Sequence, residues 1–578
     1  MDGAIPRGTA AGASKPTLRQ TLRSLLPPGA FAFALARSSR AARVVLNPDG
    51  GPRRGRRQGT QQTPIEPGIG PMSDYGLVDL AVIGGGINGA GIARDAAGRG
   101  LKVLLCEKGD LAEATSSRSS KLVHGGLRYL EYWQFRLVRE ALSEREVLLQ
   151  AAPHIIWPMR FVLPHSAEQR PAWLIRLGLL VYDHLGVRNR LPGCRRIELR
   201  QAPEGVPLKP EFTLAFEYSD CWVDDARLVV LNALDAHRRG ATVLTRTAAT
   251  VARRAGGLWQ LEMCDSTGAT HRVNARALVN AAGPWVEDVI GRVAGRHATQ
   301  HMRLVKGSHI VVSKFWHGPQ AYVLQSHDGR VVFAIPFEGE LCLIGTTDVA
   351  YSGDPNAASI DDGEIDYLLA VVNRYARHPL TRARILHAFA GVRPLLDDNT
   401  ANPSAVSRDY LFELDTEDGR APLMSTFGGK ITTFRRLAEQ AVETLMPFLP
   451  NRGRSWTRSA PLPGGEMRDF AAFVADFAAR HPFLPPALAQ HYARLYGTRA
   501  EALIGDATAL GDLGALFGGR LYEREVQFLI DTEWARTAQD ILQRRTKHGL
   551  HLDRHAQARL ERWMAPRSVG APDQRSAD

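Results

Sequence analysis

Segment 77–107 contains a glycine-rich turn between a short apolar strand and a helix of small residues. The predicted strand is Asp79–Ile83, the turn reads Gly84-Gly85-Gly86-Ile87-Asn88-Gly89, and a second apolar strand ends at Glu107. A strand, the pattern G-x-G-x-x-G, a helix and an acidic residue about 20 positions on form the fingerprint of a dinucleotide-binding unit. The sequence therefore predicts a dinucleotide at this turn, although the motif alone does not separate FAD from NAD.

Each residue of the fingerprint has a physical task. Gly84 allows the tight turn, Gly86 lets the backbone approach a pyrophosphate, and Gly89 lets the helix pack closely on the strand. The helix N-terminus offers unpaired N–H groups and the positive end of a dipole to the phosphates. We expect the Glu107 carboxylate to accept hydrogen bonds from a ribose 2′-OH and to repel a 2′-phosphate, which favours an adenosine-type ribose over NADP.

The composition is that of a folded protein without a membrane-spanning helix. The chain has 578 residues, 44% apolar and 23% charged, enough for two or three domains with substantial cores. It has no uncharged apolar run of about 18 residues, the length that a spanning helix needs. The five cysteines are dispersed, with no C-x-x-C pair. We therefore predict a reducing compartment, no disulfide framework and no metal site.

The positive charge is concentrated near the N-terminus. The net charge is +12, but residues 1–71 hold eleven Lys and Arg against three Asp and Glu. The remainder has an ordinary charge balance for its size. Nucleic-acid binding by the folded part therefore has little support, and no nucleic-acid partner is predicted.

Residues 1–71 are rich in Ala, Gly, Pro, Ser and Arg. This composition cannot build a core, so we expect a disordered extension. Two interpretations remain open. The segment is an Arg-rich, acid-poor transit peptide, or it lies upstream of a functional start at Met72. The second is favoured because Met72 comes just before the first predicted strand.

The remaining chain changes its periodicity twice. Strand-like alternation over 300–350, without intervening helices, predicts an antiparallel sheet. Helical spacing beyond residue 451, as at Phe470, Phe473 and Phe477, predicts an all-helical C-terminal domain. The expected class is α/β. We predict a dinucleotide domain formed mainly by residues 72–154, 223–295 and 390–450, and a substrate domain formed mainly by residues 155–222 and 296–389. A helical domain is predicted at residues 451–578.

A basic stretch with a tryptophan, residues 170–182, has the pattern of an amphipathic helix. Most such helices pack against their own domain. The alternative is a helix that lies on a membrane surface. The sequence leaves both interpretations open.

Cations recur at or near glycine-rich breaks in the chain. Arg128 follows Gly-Gly, Arg393 and Lys430 follow glycines closely, Arg408 precedes Asp-Tyr, and His309 follows Gly-Ser. An isolated cation is usually a solvated surface charge. Grouped around one dinucleotide they would suit an anionic substrate, because guanidinium groups bind phosphate or carboxylate through two parallel hydrogen bonds.

The chain resembles the FAD-dependent glycerol-3-phosphate dehydrogenases of the aerobic, quinone-linked bacterial type. The resemblance extends from about residue 72 into the C-terminal region and keeps the order of the family's motifs. The matching stretches are 83–91, 114–129, 218–228, 278–285, 306–312, 345–348, 391–395, 428–435, 531–537 and 544–546.

The resemblance implies a Rossmann-like FAD-binding fold of the glutathione-reductase or D-amino-acid-oxidase type. It also implies oxidation of sn-glycerol 3-phosphate to dihydroxyacetone phosphate by hydride transfer from C2 to flavin N5. Electrons would pass to ubiquinone or menaquinone. The protein would lie peripherally on the inner face of the bacterial cytoplasmic membrane, and the resemblance is compatible with a homodimer. The alternatives are a glycerol-3-phosphate oxidase that reduces oxygen to peroxide, and a non-catalytic flavin- or nucleic-acid-binding protein.

The resemblance also assigns residues to the site. His309, Arg393 and Lys430 match positions around the reacting carbon. His309 is the candidate base because its ordinary pKa lies near neutrality, whereas Arg393 stays protonated. Substrate contacts are expected from Ser119, His124, Arg128, Tyr129 and Arg408. FAD contacts are expected from Gly84, Gly85, Gly86, Asn88, Gly89, Glu107, Thr115, Ser116, Ser117, Ala282, Gly283, Gly428, Gly429 and Ile431.

Overall fold

Two large β-sheets and a C-terminal helical region make up the part of the chain that the computed structural model describes. That part comprises residues 44–47, 73–186, 191–397, 409–450 and 453–565. The first sheet has nine strands and the second has ten, and a further two-stranded hairpin lies in the C-terminal region.

The strands and helices are numbered in chain order. The strands are β1 (Val44–Asn47), β2 (Ser73–Ile83), β3 (Val103–Cys106), β4 (Leu122–Val123), β5 (Ile156–His165), β6 (Arg195–Glu198), β7 (Leu214–Val223), β8 (Thr242–Leu244), β9 (Thr247–Ala255), β10 (Leu258–Asp265), β11 (Thr270–Asn280), β12 (Met302–Ser313), β13 (Ala321–Gln325), β14 (Val331–Phe337), β15 (Leu341–Gly345), β16 (Val349–Ala350), β17 (Ile385–Leu396), β18 (Tyr410–Glu417), β19 (Arg420–Gly428), β20 (Leu516–Gly518) and β21 (Leu521–Tyr522). The helices are α1 (Ile87–Gly98), α2 (Phe135–Ala151), α3 (Ala172–Leu185), α4 (Asp225–Arg238), α5 (Val286–Asp288), α6 (Asp362–Tyr375), α7 (Phe434–Leu445), α8 (Phe470–Arg480), α9 (Pro486–Tyr496), α10 (Ala500–Ile504), α11 (Glu523–Glu533) and α12 (Arg554–Met564).

The first sheet has the strand order β1-β18-β19-β11-β2-β3-β8. The neighbours from β19 to β8 are parallel. Successive side chains of β2 point to opposite faces: Leu80 and Val82 pack with α1, α4 and α7, whereas Ala81 and Ile83 pack with the β9–β11 meander. Helices on one face and a meander on the other confirm the predicted α/β class with a Rossmann-like dinucleotide domain.

The second sheet has the order β16-β12-β15-β14-β13-β5-β7-β4, with β17 along β12 and β6 along β7. Its pairs are antiparallel except for β5 with β13. The predicted boundary at residue 390 falls inside β17, which pairs with β12 from Ile385 to Leu396. Gly391, the glycine two residues before Arg393, lies opposite Gly307 within this ladder and not at a break in the chain. Arg393 therefore belongs to the second sheet and not to the dinucleotide domain.

The C-terminal region is built from α8–α12 around its own apolar core, which includes Tyr492, Phe517 and Leu529. The prediction of a C-terminal helical domain is confirmed, and the short hairpin β20–β21 lies between its helices. Buried ion pairs attach the region to the first sheet's domain. Arg545 donates from Nη1 and Nη2 to the Asp110 carboxylate at 2.7 and 2.8 Å, and both side chains are fully buried.

Val44–Asn47 pair in parallel with β18 as an edge strand. The expectation of disorder over 1–71 is therefore not met at these four residues, and the others up to residue 71 lie outside the described part. Within the described ranges, no helix combines the length and the apolarity needed to cross a lipid bilayer.

The ion pairs of Asp110 generate a stability prediction. Asp110→Ala would leave Arg545 and its neighbour Arg544, which also bonds Asp110 at 2.6 Å, buried without this carboxylate. Breaking a buried pair from one side costs about 3–5 kcal/mol. We expect a clear fall in Tm, measured by far-UV circular dichroism of the holoprotein.

A matched control is Asp506→Ala, which breaks a largely exposed pair with Arg524. Exposed pairs contribute about 0–1 kcal/mol, so its Tm should stay close to that of the parent chain. Equal transitions for the two variants would contradict a stabilising role for the buried junction.

Candidate active site

A cavity of about 1070 Å³ lies where the carboxyl ends of β2, β3, β11 and β19 face the second sheet. Ligands of open α/β sheets bind outside the carboxyl ends of the strands. The lining includes the glycine turn after β2, the serine-rich loop after β3, and residues of β12 and β17. Both sheets therefore contribute side chains to one space.

The glycine turn meets the steric requirements of the fingerprint. Gly84 has φ of +111°, which favours glycine. A Cβ at Gly89 would lie 1.9 Å from the Gly84 carbonyl oxygen, so the helix can approach the strand only with glycine there. Gly86 lines the cavity, and a Cβ on it would meet only Ser116 Oγ, at 3.2 Å. The N-cap residue of α1, Gly86, has no side chain to cap the helix; Ser116 Oγ accepts from the Ile87 N–H, and the following N–H groups of the first turn stay as donors for an anion.

Glu107 ties this turn to the end of β3. Its Oε2 accepts a hydrogen bond from the Gly85 N–H at 2.6 Å and its Oε1 accepts one from the Gly109 N–H at 2.8 Å. Burial raises the pKa of Glu107, and the two N–H donors offset part of that effect. Each carboxylate oxygen has a second lone pair. Glu107 lines the cavity and can still accept a ribose hydroxyl.

A second glycine turn, at the end of β19, lies next to the first and also lines the cavity. Gly428 and Gly429 have φ of +75° and +97°. The Gly428 carbonyl oxygen accepts a hydrogen bond from Asn88 Nδ2 at 3.2 Å. Asn88 Oδ1 is buried and has no hydrogen-bond partner among the described residues. A buried acceptor without a protein partner, between two glycine-rich turns, fits a bound flavin dinucleotide that supplies a donor there.

Most of the residues predicted to hold FAD line the cavity. They are Gly84, Gly86, Asn88, Glu107, Thr115, Ser116, Ala282, Gly283, Gly428, Gly429 and Ile431. The hydroxyls of the serine-rich loop bind protein groups: Thr115 Oγ1 donates to the Val392 carbonyl at 2.6 Å, and Ser116 Oγ accepts from the Ile87 N–H at 3.0 Å.

Three predicted cofactor residues do not line the cavity. The Gly85 N–H is occupied by Glu107, and Gly89 packs against Gly84. Ser117 Oγ donates to the Ala114 carbonyl oxygen at 3.5 Å. These residues shape the loops and do not face the space between them.

His309 lies on β12, between β15 and β17. Its ring is buried and stacks on Phe389, with centroids 5.0 Å apart, and its Nε2 is 2.9 Å from Ser120 Oγ. Burial, with the nearby charges of Arg393 and Lys121, lowers the pKa of His309 well below its ordinary value. The ordinary pKa near neutrality, for which the sequence favours His309, is thus lowered by this environment. The imidazole is a neutral acceptor at physiological pH.

Arg393 and Lys430 also line the cavity. Arg393 forms an ion pair with Asp348, and its Nη2 donates to Thr346 Oγ1 at 2.7 Å. A Cβ at Gly307 would lie 2.3 Å from that Nη2, so the glycine makes room for the guanidinium. The Lys430 ammonium lies 3.7 Å from the centroid of the Tyr129 ring, a cation–π contact.

The predicted substrate residues divide into three groups. Ser119, His124 and Tyr129 line the cavity. Arg128 does not line the cavity. It precedes Tyr129 on a 3₁₀ helix, where successive side chains point about 120° apart. Because Tyr129 points into the cavity, Arg128 points away from it. Arg408 lies outside the described residues.

Several cavity residues were not singled out from the sequence. Ser120 contacts His309, and Lys108 stacks on Trp285 with its ammonium 3.4 Å from the ring centroid. Arg118 donates from Nη1 to the Ala390 carbonyl oxygen at 2.9 Å. Ser120 and Arg118 lie within the stretch 114–129 that carries the family resemblance, but nothing local distinguishes them from their neighbours.

Among the described residues, one group could hold a metal ion, and it lies outside the cavity. His491, Glu525 and His548 are buried together in the C-terminal region. Hydrogen bonds from His491 Nε2, at 2.9 Å, and from the Tyr496 hydroxyl, at 2.7 Å, already reach Glu525 Oε1. The absence of a metal site stays a prediction.

Comparison with known proteins agrees with this geometry. Residues 79–435 match the family model of the FAD dependent oxidoreductases, and residues 455–565 match the C-terminal domain of alpha-glycerophosphate oxidase. The chain belongs to the FAD-dependent oxidoreductases. The cofactor of this oxidoreductase is FAD, which decides between the two dinucleotides that the fingerprint left open.

Known relatives and a solved structure align with most of the chain of this oxidoreductase. D-erythritol 1-phosphate dehydrogenase of Brucella abortus is 58% identical over 495 residues, 85% of this chain and 98% of the relative. Aerobic glycerol-3-phosphate dehydrogenase of Escherichia coli is 54% identical over 488 residues, 84% of this chain and 97% of the relative. The structure of glycerol-3-phosphate dehydrogenase from Bacillus halodurans complexed with FAD has a TM-score of 0.67 at 28% identity, covering 85% of this chain and 91% of that one.

The open space above Gly86 generates a binding prediction. Gly86→Ala adds a methyl group that the protein itself tolerates, since only Ser116 Oγ lies near and the backbone is not left-handed. If that space belongs to the cofactor, the affinity for FAD should fall at least about tenfold, or 1.4 kcal/mol. Titration of the apoprotein with FAD, followed by flavin fluorescence, measures this.

Gly178→Ala is the control, because a Cβ at this helical position meets nothing within 4 Å. It should bind FAD like the parent chain. An unchanged FAD affinity in Gly86→Ala would show that the backbone at this turn does not approach the cofactor.

Proposed function

We propose that this oxidoreductase oxidises sn-glycerol 3-phosphate to dihydroxyacetone phosphate and passes the electrons to a membrane quinone. The observation that carries the proposal is the cavity itself. It joins the glycine turns of the FAD site to His309, Arg393, Lys430 and Tyr129. A neutral base and two cations next to a flavin site suit oxidation of an alcohol that bears an anionic group. The names of the Escherichia coli and Bacillus halodurans relatives support the same substrate.

His309 and Arg393 have different roles in the proposed reaction. When bound, FAD supplies the acceptor for the hydride of C2. His309, neutral at physiological pH, accepts the proton of the C2 hydroxyl. Arg393 stays protonated at any physiological pH and stabilises negative charge that develops on the substrate oxygen. Its ion pair with Asp348 and its bond to Thr346 fix the guanidinium before substrate arrives.

Lys430 and Tyr129 form the second cationic element. The ammonium is held against the aromatic ring at 3.7 Å, and both residues line the cavity beside Gly429. An ammonium in a site closed to bulk water attracts phosphate more strongly than it would in solution. We assign the substrate phosphate to this side of the cavity, because a fixed phosphate orients C2 for reaction.

A second substrate is favoured by one specific observation. The relative from Brucella abortus, at 58% identity, is named for D-erythritol 1-phosphate. This compound shares the terminal phosphate and a chain of hydroxyls with glycerol 3-phosphate and has one carbon more. The same cations and the same base would serve both, so the two substrates differ only in how the far end of the polyol fits.

The electron acceptor has an alternative as well. An oxidase with the same fold and the same first half-reaction would reduce oxygen to peroxide. The yield of peroxide under air, compared with the reduction of a soluble ubiquinone analogue, separates the two. A high quinone rate with little peroxide supports the dehydrogenase.

The amphipathic stretch 170–182 is helix α3 for most of its length, and its two faces differ. Leu179 and Tyr182 are buried against the second sheet's domain. Trp173, Leu174 and Leu180 are exposed, with Trp173 at 68%. Trp133, also 68% exposed, ends the 3₁₀ helix that packs against α3. We infer that these four residues, the α3 patch, dock the protein on a membrane surface, because tryptophan and leucine side chains on one face of an amphipathic helix favour the interface.

The substrate proposal predicts the outcome of anaerobic reduction. Glycerol 3-phosphate added to the yellow holoprotein should bleach the flavin band, and glycerol should not, because the phosphate is the orienting group. D-erythritol 1-phosphate is tested in parallel, and the ratio of the two kcat/KM values identifies the preferred polyol. If neither phosphate bleaches the flavin, the proposed function is wrong.

The α3 patch predicts that substitution of its tryptophans weakens membrane binding without changing catalysis. The double variant Trp133→Ser, Trp173→Ser should bind anionic phospholipid vesicles at least about tenfold more weakly, since burial of each indole contributes more than 1 kcal/mol. Vesicle flotation measures the bound fraction. Reduction of a water-soluble dye should be unchanged. Leu516→Ser, an exposed apolar residue of the C-terminal region, is the control, and equal flotation of both variants would rule out docking through α3.

A further inference from the structure

His309 and Ser120 both line the cavity, and their side chains contact each other. The imidazole is 1% exposed, and its Nδ1 is buried with no hydrogen-bond partner among the described residues. Its Nε2 lies 2.9 Å from Ser120 Oγ. Ser120 is only partly buried and lines the cavity. Of the two polar groups, the Ser120 hydroxyl is therefore the more accessible from the cavity, and it touches Nε2 of the ring.

The ring cannot easily turn to present its other nitrogen. One face stacks on Phe389, with an interplanar angle of 16°. Gly345 lies so close that a Cβ there would be 2.1 Å from Cδ2 of His309. A ring held in this way keeps Nε2 toward Ser120.

Ser120 is itself fixed by its neighbours in the chain. Ser119 Oγ donates to Asp225 Oδ2 at 2.7 Å, and the Lys121 ammonium lies 2.9 Å from both oxygens of the same buried carboxylate. The Lys121 N–H donates to Ser119 Oγ at 2.9 Å. Residues on both sides of Ser120 are thus anchored to the first turn of α4. A hydroxyl held on such a scaffold loses little entropy when it transfers a proton.

We propose that Ser120 relays the proton from the substrate hydroxyl to His309. The proposal rests on the proposed function. The neutral imidazole carries its hydrogen on Nδ1, and the Ser120 hydroxyl donates to Nε2. As the substrate O–H bond breaks, its proton bonds to Ser120 Oγ, and the proton that Ser120 held moves to Nε2. The substrate carbon loses its hydrogen with the bonding electron pair to FAD, the carbonyl forms, and Ser120 ends neutral beside an imidazolium.

Anaerobic stopped-flow reduction of the holoprotein tests the relay. Ser120→Ala should lower the rate constant of flavin reduction by about 10²–10⁴, the usual contribution of a proton-transfer group. Ser120→Thr keeps the hydroxyl and should recover most of the rate. Kd for 2-phosphoglycolate, an anionic analogue without an oxidisable hydroxyl, should change less than about twofold in both variants. Ser143→Ala on α2, which is not part of the cavity lining, is the control.

A double mutant separates a relay from mere packing. If the proton passes through Ser120 to His309, the two residues act as one unit and their effects are not additive. Adding Ser120→Ala to His309→Ala should then lower the rate constant of flavin reduction only slightly further. The solvent isotope effect on flavin reduction in the parent chain should correspond to the transfer of two protons in one step. The isotope effect of Ser120→Ala should not. Rate losses that simply multiply in the double variant would overturn the relay.

Failure of the relay is distinguishable from failure of the proposed function. If neither polyol phosphate bleaches the flavin of the parent chain, the function is wrong. If the parent chain is bleached and Ser120→Ala is reduced at the same rate, the function stands and the relay is overturned.

Discussion

The contact between Gly89 and Gly84 is the constraint on which the cofactor site depends. With 1.9 Å between a Cβ at Gly89 and the Gly84 carbonyl oxygen, α1 crosses the end of β2 at a distance that only glycine permits. That approach brings the N-terminus of α1 to the cavity. Glu107 then fixes the turn between them through the Gly85 N–H. Because β2 is paired on both sides, by β3 and β11, the same geometry positions the loops that follow those strands.

Two glycines have a comparable effect in the second sheet. Gly307 and Gly391 face each other across β12 and β17. A Cβ at Gly307 would collide with the Arg393 guanidinium, and one at Gly391 would lie 2.7 Å from the Arg118 Cβ. The guanidinium can therefore fold over its own sheet, and the serine-rich loop can lie directly on β17. The contact between Ser120 and His309 follows from this close packing of a loop from one sheet on a strand of the other.

The sequence predicts the dinucleotide unit well because its determinants are local: strand, glycines, helix and acid follow one another within about 30 residues. The contents of the second sheet are less predictable. The glycine at 391 resembles a break until its partner strand is known. Arg128 and Tyr129 are neighbours in sequence, yet their directions depend on a 3₁₀ turn. The pKa of His309 depends on burial by residues far apart in the chain, and no local pattern reports burial.

The charges around His309 link proton transfer to the presence of substrate in the proposed reaction. After burial, Arg393 and Lys121 are the groups that keep the pKa of the imidazole low in the free cavity. A phosphate dianion held at Lys430 would bring negative charge into the same cavity and offset part of their field, so the pKa of the imidazole would rise and the base would become stronger. Once the anionic product leaves, the imidazolium again faces two cations in a dry site and gives up its proton. Arg393, which lines the cavity and favours an anionic substrate, thus also helps to restore the base after each turnover.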